Sequence, residues 1–127
     1  MKNIKTTQIY AYGCNFKLID NIDFMNNFLE DLVDTIDMNK ISPELIKGEN
    51  PKSFYFDAAV LNLPEEDAGI TGVITLFESH CAFHSWTKYK FCCIIVCSCK
   101  DYNSDLVAYF CKDRLSAENV NYKTISM

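Results

Sequence analysis

The chain has 127 residues, of which 49% are apolar and 23% charged, a balance that predicts one folded domain over residues 1–127 around one core, not a disordered or fibrous chain. Twelve basic and seventeen acidic residues leave a net charge of −5 without any Lys/Arg cluster, which excludes a phosphate-neutralising nucleic-acid surface. The longest apolar run, Phe91 to Cys97, falls far short of the roughly 20 residues of a membrane-spanning helix, so no membrane association is expected.

The amino terminus, Met1 to Thr7, carries charge but no apolar signal-peptide stretch, and the expectation is a cytoplasmic protein. Thr7 to Tyr12 are β-branched and aromatic and run into Gly13, the pattern of a strand. Asp20 or Asn21 can cap a following helix, in which Met25, Phe28, Leu29, Leu32, Val33 and Ile36 recur on one face. Asn39 to Ser53 holds two prolines and Gly48 without periodicity and reads as a connection, with a short helical turn near Glu44.

Phe54 to Leu61 is a second predicted strand, Pro64 to Gly69 an acidic turn, and Ile70 to Phe77 a third strand that ends at Glu78-Ser79-His80. Phe91 to Cys99 is the fourth. Alternation puts Phe91, Cys93, Ile95, Cys97 and Cys99 on one face and Cys92, Ile94, Val96 and Ser98 on the other; both are apolar, so this strand should be central. Asn103 or Ser104 can cap a second helix with Leu106, Val107, Phe110 and Cys111 as its buried stripe, and Val120 to Ile125 is the last strand. The order β-α-β-β-β-α-β predicts an α+β fold, an antiparallel sheet covered by two helices on one face. Seven cysteines cannot all pair within one chain, so reduced thiols are expected, with Cys92, Cys93, Cys97 and Cys111 as core packing.

The chemistry concentrates in Thr71 to Trp86, where Glu78-Ser79-His80 and His84 follow a buried strand. A Ser/His hydrolase lacks its Gly-x-Ser-x-Gly elbow here. For zinc, His80 and His84 have the spacing that meets one ion from a helix, but the flanks read as strand and turn and no Cys-x-x-Cys accompanies them; no metal is expected. The segment closely resembles the self-processing motif of the prokaryotic S-adenosylmethionine decarboxylases. In that family a strand beginning Ser-Gly runs into Glu-Ser-His, a second His follows five residues after the Ser, then Thr-Trp-Pro-Glu, and a later strand ends in Cys. The counterparts here are Thr71-Gly72, Glu78-Ser79-His80, His84, Ser85-Trp86-Thr87-Lys88 and Cys99. Tyr12-Gly13-Cys14 followed by Leu18-Ile19-Asp20 resembles the family's opening.

The resemblance implies a self-cleaving proenzyme of the α/β sandwich type. Ser79 Oγ attacks the Glu78 carbonyl, the Thr71 hydroxyl supports the oxyanion, and His84 removes the Cα proton of residue 79 as general base. The chain parts into a β chain 1–78 and an α chain 79–127, and Ser79 becomes a pyruvoyl group. That group replaces pyridoxal phosphate and forms the Schiff base with the substrate's amine, while Cys99 returns a proton to the α-carbon. His80 supports the cleavage turn. A homodimer of processed protomers, with sites near the shared interface, is also implied.

Besides Thr71, Ser85 and Thr87, which replace the motif's Ser, Thr and Pro, three positions depart from the family. Lys88 stands where a Glu holds the ribose, Glu65 where an aromatic side chain stacks on adenine, and Ile95 where an Asp is usual. The resemblance favours S-adenosylmethionine as substrate, serving spermidine and polyamine synthesis, with Trp86, Phe83 or Tyr12 stacking on its adenine. The alternative is a basic amino acid, arginine or ornithine, paired by Glu65, Glu66 or Asp67. A non-catalytic regulator would be expected to have lost Ser79 or His84, and both are present.

Overall fold

The FCCIIVCS stretch places Cys92, Ile94, Val96 and Ser98 in the interior on one face of β5 (Phe91–Ser98). This strand lies between β1 (Lys5–Tyr12) and β4 (Ser79–Trp86), antiparallel to both, with Ile9 opposite Ile94 and Phe83 opposite Ile94. β3 (Ile70–Leu76) and β2 (Lys52–Asp57) continue the sheet beyond β4, and β6 (Asn119–Ser126) flanks β1, giving the order β2-β3-β4-β5-β1-β6. The computed structural model describes residues 3–36, 52–57, 68–76 and 79–127, with 52–57 and 76 described as backbone only.

Three helices complete the described chain. α1 (Phe16–Ile19) is one turn; α2 (Ile22–Thr35) and α3 (Ser104–Arg114) cover one face of the sheet. Asn21 and Asn103 accept the backbone N–H of Phe24 and Leu106 and so cap α2 and α3. Met25, Phe28, Leu29, Leu32 and Val33 are buried on α2, where Phe28 meets Phe83 of β4 edge-on at 6.4 Å and Phe110 of α3 at 5.6 Å. Arg114 Nη2 donates to Asp31 Oδ2 at 2.6 Å and ties the two helices together at the surface.

Two glycines fix where strands run. Gly13 takes φ +64°, a left-handed conformation that ends β1. A Cβ at Gly72 would lie 2.5 Å from Phe83 Cε1, so this position on β3 is empty because the Phe83 ring fills it.

The antiparallel sheet with its helices on one face is the expected architecture. One strand is additional: Ser79 to Trp86, expected as strand end and turn, forms the full strand β4, and the sheet has six strands. The reason is that its inward positions are Ser79, Cys81, Phe83 and Ser85, so two buried serines break the apolar alternation by which a strand is recognised. On α3 the buried stripe is Val107, Ala108 and Cys111; Leu106, expected inside, is 45% exposed because it lies off the face that these three residues turn to the core. None of the seven cysteines is in a disulfide, and Cys14, Cys81, Cys92 and Cys111 are core residues. Cys97, expected in the core, is half-buried on the uncovered face, since strand alternation turns it away from the helices.

No helix among the described residues is long and apolar enough to cross a membrane. The helical turn near Glu44, most of the Asn39–Ser53 connection, the end of the second strand beyond Asp57 and the acidic residues Glu65, Glu66 and Asp67 lie outside the described residues.

Candidate functional site

β4 carries the chemistry on two faces. Ser79, Cys81, Phe83 and Ser85 point to the helices, whereas His80, Ala82, His84 and Trp86 are half-buried on the uncovered face. Leu76 pairs with Ser79, so only residues 77 and 78 separate the facing ends of β3 and β4. Glu78 itself lies outside the described residues.

Ser79 is 6% exposed, and its hydroxyl donates to Ser98 Oγ at 3.2 Å across to β5. Ser98, 1% exposed, also accepts the Lys100 N–H at 2.9 Å. Cys99 follows directly, half-buried, at the rim of a cleft of about 570 Å³ that Lys5, Ser98, Lys100, Asp101 and Ser126 also line. Lys5 Nζ bonds Asp101 Oδ1 at 2.9 Å and sits over the Tyr102 ring, 4.6 Å from its centre. The hydrogen bond from Lys5, and then the lysine charge, hold the Asp101 carboxyl below the usual carboxylate range. Ser79, the expected pyruvoyl precursor, and Cys99, the expected proton donor, thus lie at the same end of the sheet, linked through Ser98.

A second cluster lies farther along the sheet. Thr71 of β3 pairs with His84 of β4, and Thr71 Oγ1 and His84 Nδ1 are 3.0 Å apart. The adjacent cross-strand partner of His84 is Cys93. Five residues at about 3.3 Å each put His84 about 16 Å from Ser79 along the strand, and their side chains leave opposite faces. Within one chain the Thr71–His84 pair and Ser79 do not meet.

Beside this pair stands an aromatic group. Trp86 stacks on Phe91 at 5.4 Å, Phe91 contacts Tyr12 at 5.2 Å and Tyr10 at 5.5 Å, and His84 lies 6.2 Å from Trp86. Trp86 and Tyr12, two expected stacking residues, therefore share one surface. Phe83, the third, is fully buried against Phe28; as an inward position of β4 it packs the core and presents no face to a ligand. Lys88 is exposed on the 3₁₀ turn Thr87–Tyr89, its Nζ 6.0 Å from the Tyr89 ring. Thr87 Oγ1 donates to Asp20 Oδ1 at 3.0 Å and tethers that turn to the end of α1. Glu65 lies outside the described residues.

His80 and His84 share the uncovered face about 13 Å apart along the strand, too far for one ion. Among the described residues no set of His, Cys, Asp and Glu side chains forms a metal-holding group. Burial pushes the Cys14 thiol up to about 11 and Cys81 to about 12, and raises Cys92 and Cys111 as well; these are neutral packing groups at pH 7. Ser98 is the contact that sequence reading overlooks. Its place on the inner face of β5 is legible, but its partner follows only from the register that sets β4 beside β5.

The chain is similar to several known proteins. A proenzyme of S-adenosylmethionine decarboxylase from Hydrogenobaculum sp. is 32% identical over 90 residues, which are 71% of this chain and 54% of that protein, so the match spans about half the relative's length. The proenzyme of the same name from Clostridium botulinum (strain Loch Maree / Type A3) is 24% identical over 118 residues, 92% of this chain and 87% of its own. The crystal structure of the adenosylmethionine decarboxylase from Aquifex aeolicus VF5 superposes with a TM-score of 0.72 at 19% identity, covering 98% of this chain and 89% of that one, and so shares the fold. Residues 5–126 match the profile of the family described as S-adenosylmethionine decarboxylase, and the chain belongs to that family.

Proposed function

We propose that this chain is a self-cleaving proenzyme in which Ser79 becomes a pyruvoyl group, and that the processed protein decarboxylates S-adenosylmethionine. The observation that carries this reading is the placement of Ser79. Its hydroxyl is shielded from water and held by Ser98 at the first position of β4, on the sheet end that Cys99 shares. A serine that attacks its own peptide carbonyl needs a fixed, protected hydroxyl, and these residues fit the formation of a pyruvoyl group there.

In this reading Ser79 Oγ adds to the carbonyl carbon of Glu78, the C–N bond to residue 79 breaks, and the hydroxyl proton ends on the freed amine. A base then removes the Cα proton of residue 79 as the Glu78 carboxylate departs. The chain parts into 1–78 and 79–127, and hydrolysis with loss of ammonia leaves the pyruvoyl carbonyl, which supplies an electron sink for decarboxylation. Cys99, one residue past Ser98 on the lining of the cleft, is the group that returns a proton to the substrate carbon in this reading.

His84 is the base of this reading. When Thr71 Oγ1 accepts the Nδ1 proton, Nε2 is left as the basic nitrogen. A general base must come within about 3.2 Å of its proton or reach it through one water, which His84 cannot do for Ser79 of its own chain. The reading therefore requires a homodimer in which each copy lends its Thr71–His84 pair to the other's Ser79. The uncovered sheet face, with Trp86, Phe91, Tyr12 and Tyr10 grouped on it, is the surface through which the copies would meet.

For the substrate, the relatives described above carry the name of S-adenosylmethionine decarboxylase, and no observation favours arginine or ornithine. Trp86 and Tyr12 offer ring surface for an adenine; Lys88, exposed nearby, cannot accept the ribose hydroxyl protons as a carboxylate would. Intact-mass measurement of purified protein is expected to give two fragments, 1–78 and 79–127, and carbon dioxide release is expected from S-adenosylmethionine. A single unbroken chain without turnover would instead support a regulatory relative.

A further inference from the structure

We infer that Ser98 is a positioning residue for self-cleavage, holding the Ser79 hydroxyl in the orientation from which it attacks; this rests on the reading that Ser79 cleaves its own chain. Two hydrogen bonds carry the inference. Ser98 Oγ accepts the Lys100 N–H at 2.9 Å, a contact within its own strand end that fixes the oxygen independently of Ser79. It also accepts the Ser79 hydroxyl at 3.2 Å.

A hydroxyl oxygen has two acceptor sites, and here both are used. With Ser79 and Ser98 only 6% and 1% exposed, water does not compete for either oxygen. The Ser79 O–H is therefore aimed at β5, and because Ser79 is the donor in this bond, its oxygen lone pairs are not engaged by Ser98. As the new C–Oγ bond forms and the C–N bond of that peptide breaks, the Ser79 proton leaves the oxygen and ends on the nitrogen of residue 79. Ser98 gains and loses no proton over the whole step. It narrows the rotamers of the attacking hydroxyl, and its effect falls on the rate of cleavage.

Freshly synthesised chain, followed by mass for the appearance of 1–78 and 79–127, tests this. Ser98→Ala removes the acceptor without adding bulk and should slow cleavage by about tenfold, the equivalent of one ordinary hydrogen bond. Ser98→Thr, which keeps the hydroxyl, should restore most of the rate. Thermal melting of each uncleaved precursor reports folding separately. A folded Ser98→Ala chain that cleaves at the parent rate overturns the inference and leaves Ser79 chemistry standing. Slowing that tracks lost melting temperature and is not restored by Ser98→Thr also overturns it, assigning Ser98 to packing alone. If the parent chain itself never cleaves, the cleavage reading fails and this inference fails with it.

Discussion

The two faces of β4 are built on different rules. On the helix side, Cys81 and Phe83 pack against the core, and the two serines among them are satisfied within the fold: Ser79 by Ser98, and Ser85 by accepting from the Ile70 N–H at 3.0 Å and donating to the Ile19 carbonyl at 3.1 Å. On the other side, His80, His84 and Trp86 are half-buried, with no helix over them among the described residues. A buried polar group without a partner is costly, so the inner serines are held rigidly; the outer histidines keep ring atoms available for chemistry. Each face thus carries half of the proposed processing machinery, a fixed nucleophile inside and a base outside.

The sharpest way to break this division is to ask whether the two halves act within one chain. Ser79→Ala and His84→Ala should each abolish cleavage when expressed alone. Co-expressed, they should give cleavage of the His84→Ala chain only, because it keeps Ser79 and receives His84 from the other copy. Distinguishable tags and mass measurement read this directly, and absence of any cleavage in the mixture would place the base in cis and refute the two-copy site.

Cys99→Ala, at the sheet end, should leave cleavage intact while lowering turnover of S-adenosylmethionine by about 10²-fold, the lower range for loss of a proton-transfer group. Normal turnover would move the proton donor elsewhere. A stability comparison between the faces comes next. Phe83→Ala removes a fully buried ring facing Phe28 and should destabilise the chain by about 3–5 kcal/mol in urea unfolding. Trp86→Ala, half-buried on the uncovered face, should cost the protomer only about 1–2 kcal/mol and show its larger effect in weakened self-association by sedimentation. Equal losses would mean that the uncovered face packs like a core.

Much of this fold is visible in the order of residues because most inner positions are apolar at regular spacing. The α2 face, the central β5 and the caps at Asn21 and Asn103 all follow from that rule. β4 escapes it for a physical reason: serine inside a sheet is tolerated only where partners exist, and those partners, Ser98, Ile19 and Ile70, are distant in the chain. The site behaves the same way. Ser79, His84, Thr71 and Cys99 stand out as residue types in a motif, yet the separation of Ser79 from His84 depends on strand parity, which is legible only once Ser79–Trp86 is known to be extended. Leu106 errs in the opposite sense, an apolar residue at helical spacing that the docking of α3 leaves outside.

The smallest expected effect concerns the inner thiols and appears only in alkali. Burial raises Cys14 from an ordinary 9.0 to about 11 and Cys81 to about 12 in the folded chain. The folded state therefore holds these protons to higher pH than the unfolded state, and the stability linked to them is complete below about pH 9 and lost as pH rises through 11 to 12. Melting temperatures of the uncleaved Ser79→Ala precursor should fall across that window. Adding Cys81→Ala should flatten the fall without changing its onset near pH 9. Lysines and tyrosines titrate in the same range, so the difference between the two proteins, not the fall itself, is the measurement. Parallel curves would mean that Cys81 ionises freely in the folded chain, and the helix-covered face would then admit water where the packing around Phe83 and Val96 excludes it.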